Sequence, residues 1–112
     1  MNIAFTTKGE HWDSKMDPRF GRAAYFVILN EDTKELTVVD NSDIEQEAHG
    51  AGPKAVTKLA ELKADVLITG NGPGGNAATI IEKLGIVCYI GAGDMSMQEA
   101  YDAYKNESLK KF

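Results

Sequence analysis

At Asp40 the apolar pattern of this chain changes period, and that change limits the fold more than any other feature. Before it stand three apolar runs of strand type, Met1 to Thr7, Ala24 to Asn30 and Leu36 to Asp40. Glu31 to Lys34 joins the second and third over a polar stretch of hairpin length, which predicts antiparallel neighbours. After Asp40 helical and strand patterns alternate, giving the order β-β-β-α-β-α-β-α. Two crossover units in the second half require parallel strands and right-handed connections. The sheet is therefore expected to be mixed, with helices packed on it.

Each helix carries its own punctuation. Pro53 suits a first helical position after Gly52, and Ala55, Val56, Leu59, Ala60 and Leu62 follow on one face. Asp65 to Thr69 reads as a short buried strand, and the helix with Ala77, Ala78, Ile80, Ile81 and Leu84 inward ends at Gly85. Ile86 to Ile90 is a fifth strand, and Ser96-Met-Gln-Glu99 is a capping box opening a third helix with Met97, Ala100, Tyr101 and Tyr104 inward. Lys105 to Phe112 is expected to fray. At 112 residues and 43% apolar content the chain has room for one domain, residues 1–112, with one core.

Charge and cysteine narrow the chemistry. Twelve basic and 17 acidic residues leave a formal charge of −5, a field that disfavours nucleic acid and anionic membranes. No apolar run approaches the roughly 20 residues of a membrane span, and no secretory segment precedes the first strand, so a cytoplasmic protein is expected. Cys88 is the single cysteine, which excludes an intrachain disulfide and any C-x-x-C metal or redox motif. Its place in the apolar run Ile86 to Ile90 reads as a small buried hydrophobe.

Four glycine-bearing loops fall where strands end or helices begin: Asp17 to Arg22, His49 to Pro53, Gly70 to Gly75 and Gly91 to Asp94. If the second strand alone runs against the rest, these loops share the carboxyl edge of the sheet, where open α/β sheets take ligands. Turn amides and helix N-termini there present partial positive charge to an anion. The 15-residue excursion from Lys8 to Arg22 is too long for a plain hairpin and has the length of a functional loop. Within it Pro18 and Gly21 shape the turn, Phe20 is an apolar anchor, and Arg19 and Arg22 offer donor forks to an anion, unless one of them pins the loop to Asp17. Gly70-x-Gly72-x-x-Gly75 matches a dinucleotide fingerprint in form only. Pro73 removes an amide, no acidic residue ends the fifth strand, and the second half holds only about half a Rossmann domain. His49 is a candidate ligand for a soft or borderline metal, against the plainer alternative of a solvated loop histidine, and His11 beside Trp12 is a weaker candidate.

Met16-Asp-Pro-Arg-Phe-Gly-Arg-Ala23, Gly50-Ala-Gly52, Asp65-Val-Leu-Ile-Thr-Gly70 with its sequel to Asn76-Ala77, and Gly85-Ile-Val-Cys-Tyr-Ile90 together resemble the dinitrogenase iron-molybdenum cofactor biosynthesis family. That is the NifX, NafY and NifB C-terminal-domain group, with small stand-alone members such as the orange proteins. The resemblance implies a ribonuclease H-like α/β fold with a five-stranded mixed sheet of order 3-2-1-4-5, strand 2 antiparallel, and three helices. It implies a non-enzymatic role in binding, carrying or assembling a molybdenum-containing sulfide cluster, with iron or copper, alongside donor or recipient proteins of cluster assembly. Carried onto this chain, the cluster-binding residues are Arg19, Phe20, Gly21, Arg22, Gly50, Gly52, Gly70, Asn71, Gly72, Gly74, Gly75 and Asn76, with His49 as the metal ligand. Many relatives have histidine immediately before Phe-Gly where this chain has Arg19, so His49 is the remaining side-chain candidate. Two rivals stand beside this reading: a regulatory module for a small organic anion in the same loops, and a ribonuclease H-like nuclease. The second suffers from a first strand without carboxylates.

Overall fold

The computed structural model describes residues 1–42 and 51–112. β1 (Asn2–Thr7) takes the middle of the sheet because both of its faces are apolar. Ile3 and Phe5 join one core and Ala4 the other, and all are fully buried. It runs antiparallel to β2 (Tyr25–Asn30), from Asn2 opposite Asn30 to Thr7 opposite Tyr25, and parallel to β4 (Val66–Ile68). β3 (Leu36–Asp40) pairs antiparallel with β2 across the expected hairpin, and β5 (Val87–Ile90) pairs parallel with β4. The order is β3-β2-β1-β4-β5-β6. Its first five strands have the expected arrangement. The sixth differs from expectation: β6 (Lys110–Lys111) lies antiparallel on β5, so the segment expected to fray instead covers that edge. Two exposed lysines show no apolar alternation, and pairing of this kind leaves no trace in the sequence.

Helices cover both faces. α1 (Ala51–Glu61) and α2 (Gly75–Leu84) pack on one side, where Ala55, Val56, Leu59, Ala77 and Ile81 meet Ala4, Phe26, Ile28, Leu67 and Cys88. α3 (Met97–Lys105) covers the other, with Met97 and Ala100 set against Ile3, Phe5, Val27 and Ile68. Three expectations need correction. Ala60, placed on the apolar face of α1, is exposed, because that face fully buries only Ala55, Val56 and Leu59. Ala51 and Gly52 already belong to α1, so Pro53 is not its first residue but still falls in the opening turn, where no intrahelical donor is lost. Leu84, expected inward, is exposed, because α2 buries only the stripe of Ala77 and Ile81 before Gly85 stops it. The capping box of α3 is formed as expected: Ser96 Oγ accepts from the Glu99 N–H (3.2 Å) and Glu99 Oε1 from the Ser96 N–H (2.9 Å).

The Lys8 to Arg22 loop crosses the carboxyl edge and is held to both faces. On the α3 side Trp12 packs edge-on to Phe5 and beside Tyr101, and the Met16 N–H donates to the Met95 carbonyl (2.9 Å). On the α1/α2 side Phe20 is buried against Phe26, with ring centroids 6.2 Å apart. Burying a Phe at such an anchor is worth about 3–5 kcal/mol against alanine. That anchorage fixes where Arg19 and Arg22 emerge.

Candidate functional site

Asp17 organises the loop. Its carboxylate is fully buried yet well supplied with donors: the Arg19 backbone N–H (3.0 Å) and Nε (3.0 Å) on one oxygen, and Arg19 Nη2 (2.9 Å) and the Ala24 N–H (3.3 Å) on the other. Burial works against the charged form. The Arg19 hydrogen bonds, the guanidinium charge and the Ala24 amide outweigh it, and they hold the carboxyl below its usual range. Arg19 is therefore the arginine that pins the loop, and its planar fork is already aligned by a bidentate pair. Asn41, also fully buried, braces the other side. Its Nδ2 donates to the Ala23 (2.8 Å) and Gly21 (3.2 Å) carbonyls, and its Oδ1 accepts from Lys58 Nζ of α1 (3.2 Å).

The turn before α2 meets this loop. Gly70 lies where a Cβ would come within 2.6 Å of Pro18 Cα and 3.0 Å of Gly93 Cα, so only glycine lets the three backbones touch. The Asn71 N–H then donates to the Pro18 carbonyl (2.8 Å), and the Gly91 N–H to the Gly70 carbonyl (2.9 Å). Gly72 turns the chain at φ +88°, and α2 begins after Gly74 with no side chain capping it and no acidic residue in its first turn. The first amides of α2 thus lack intrahelical acceptors and carry the positive end of the helix dipole. Beside them lies the start of α1, where a Cβ on Gly52 would sit 3.2 Å from that of Ala77.

Between these walls lies an open cavity of about 410 Å³, lined by Arg19, Phe20, Gly21, Arg22, Gly52, Pro53, Gly72, Gly74, Gly75, Asn76 and Ala77. Nine of the residues singled out in the sequence line it together. Gly70 and Asn71 do not; they lock the turn to the Pro18 loop from behind. The Gly91 to Asp94 loop is also absent from the lining, since Gly93 packs on Pro18. His49 and Gly50 lie outside the described residues. His11 is exposed and is not part of the cavity lining. Cys88 is buried in the core beneath α1 and α2, and burial pushes its thiol up to about 12. Sequence reasoning missed the bracing role of Asn41. A polar residue directly after a strand was the only signal, and solvent-facing turns supply that signal far more often. Among the described residues no three His, Cys, Asp or Glu side chains converge as a metal would need, and no helix is long and apolar enough to cross a membrane.

Comparison with known proteins places this arrangement. Residues 1–107 match the family model described as dinitrogenase iron-molybdenum cofactor. The chain belongs to that family. Among solved structures, the apo form of the orange protein from Desulfovibrio gigas is 32% identical with a TM-score of 0.93, covering 99% of this chain and 92% of its own. A Thermotoga structure described as a NifB protein of the DUF35 family is 33% identical with a TM-score of 0.83, covering 98% of this chain and 91% of its own. Among curated proteins none is similar enough to count as a match. The segments that resemble the family, from Met16 to Ala23 and from Asp65 to Ala77, include most of the cavity wall.

Proposed function

We propose that this member of the iron-molybdenum cofactor family is a non-enzymatic carrier. It binds an anionic molybdenum-containing sulfide cluster, with iron or copper, in the cavity between Arg22 and the start of α2, and exchanges it with donor and recipient proteins of cluster assembly. Two glycines carry this reading. Gly74 has an ordinary extended backbone (φ −71°) and Gly75 is helical, and a Cβ on either would meet nothing within 4 Å among the described residues. Among those residues the fold therefore has no use for glycine at these two positions. A bulky ligand pressed against bare backbone does. The donor set is of the matching kind: helix-terminal amides and the Arg22 guanidinium, with the outer edge of the Asp17-bound Arg19 beside them, suit bridging or terminal sulfides and oxygens, and a cluster that brings its own sulfides needs few protein ligands. His49, three residues before Gly52 in the sequence, is the proposed side-chain ligand.

Anaerobic incubation with tetrathiomolybdate plus copper, or with an iron-molybdenum cluster donor, followed by gel filtration, visible absorption and elemental analysis, tests the carrier role. Retained colour and molybdenum at up to one cluster per chain is the expected outcome. Protein that leaves the column metal-free under every condition refutes it.

A further inference from the structure

Phe112 reaches the Gly72 turn, one wall of the cavity, from outside the part of the chain that the family model matches, which ends at residue 107. Its backbone N–H donates to the Cys88 carbonyl (2.8 Å), continuing the β5–β6 pairing beyond Lys111, so the residue is held at the sheet's edge. From there the ring lies over the Gly72 turn. A Cβ on Gly72 would fall 2.9 Å from Phe112 Cε1, 3.0 Å from Cδ1 and 3.2 Å from Ile90 Cγ2, so the ring and the Ile90 methyl occupy the space a side chain at 72 would take. Phe112 also lines a second cavity of about 530 Å³ with Ala78, Ile81, Ile86 and Cys88. Phe112 as a whole is 54% exposed, unusual for so large an apolar residue, and the core on neither face includes it.

From this we infer that Phe112 is a positioning residue for the cluster site. Its ring presses the Gly72 turn into place and so fixes the direction of the Gly74–Asn76 amides that face the cluster. The inference rests on the carrier reading above and deepens it. A two-residue strand is a weak hold, so this contact sets how firmly the amides are presented without being needed for the fold.

The test combines amide chemical shifts with release kinetics in wild type, Phe112→Ala and Phe112→Trp, using protein loaded anaerobically with tetrathiomolybdate and copper. In Phe112→Ala the shifts should move for residues 70–77 and stay put in β1 and β2, and the cluster should leave at least fivefold faster; Phe112→Trp should restore both. Unmoved turn amides, or wild-type release rates from Phe112→Ala, overturn this inference while uptake by wild type leaves the carrier reading standing. Wild type that takes up no cluster overturns both.

Discussion

Asp17 and Arg19 pair inside the loop, and Arg19 also stands at the proposed cluster site, so one substitution probes both. Removing the Arg19 side chain leaves a buried carboxylate with two backbone donors in place of four, a loss of about 1–3 kcal/mol. Arg19→Ala should therefore lower the melting temperature as well as cluster retention, whereas Arg22→Ala should weaken retention with a smaller loss of stability. Thermal melts run beside retention assays separate the two; equal stability losses would remove the assigned pinning role from Arg19. Because the Asp17 carboxyl titrates below its unfolded value of about 3.9, its contribution to stability is complete above that pH and is lost as pH falls through the folded value. Glu31, hydrogen-bonded to the Tyr101 hydroxyl (2.9 Å) and Lys105 (3.3 Å), is shifted in the same direction despite burial. A comparison with Asp17→Asn isolates the loop: the stability gap between the two proteins should narrow as pH falls below about 4. A gap that stays constant down to acid unfolding would contradict this. Cys88 belongs to the same scale. With its thiol raised to about 12 by burial, Cys88→Ala should keep the cluster at a packing cost of about 1 kcal/mol. A folded variant without cluster would mean that the site reaches into the sheet.

At the scale of elements, the legible features were those with a local cause. The hairpin of β2 and β3, the crossover order, the Gly85 stop and the Ser96 capping box each follow from residues within one turn or one strand of each other. What the sequence hid is long-range. Asn41 bracing Gly21, Gly70 giving way to Pro18, and Lys110–Lys111 pairing with β5 are contacts between segments whose own composition does not announce them. Gly70 offers a check at this scale: Gly70→Ala drives a methyl into the Pro18 and Gly93 backbones, which cannot move aside as a flexible side chain would. It should cost more than 2 kcal/mol in chemical denaturation, against less than about 0.5 kcal/mol for Gly74→Ala, where the space is open. Comparable losses at the two positions would show that the loop contacts are looser than described.

For the whole molecule, an acidic chain of formal charge −5 holds its candidate anion site in a corner where helix-terminal amides and two arginines converge. Most of that corner was legible, because glycine loops at strand ends have one geometric consequence once the sheet order is known. Which loops line the cavity and which merely support it was not, since that depends on how Pro18, Gly70 and Gly93 stack. Retention in such a site should fall as salt rises, because Arg22 and the start of α2 face an open cavity. The central claim is that bare backbone at the start of α2 receives the cluster, and molybdenum bound per chain in wild type and in Gly75→Val tests it most directly. A Cβ at position 75 meets no described residue within 4 Å, so the valine should leave stability within about 1 kcal/mol of wild type. The expected result is molybdenum retained by wild type and lost from the folded variant, whereas equal retention by the two would contradict the claim.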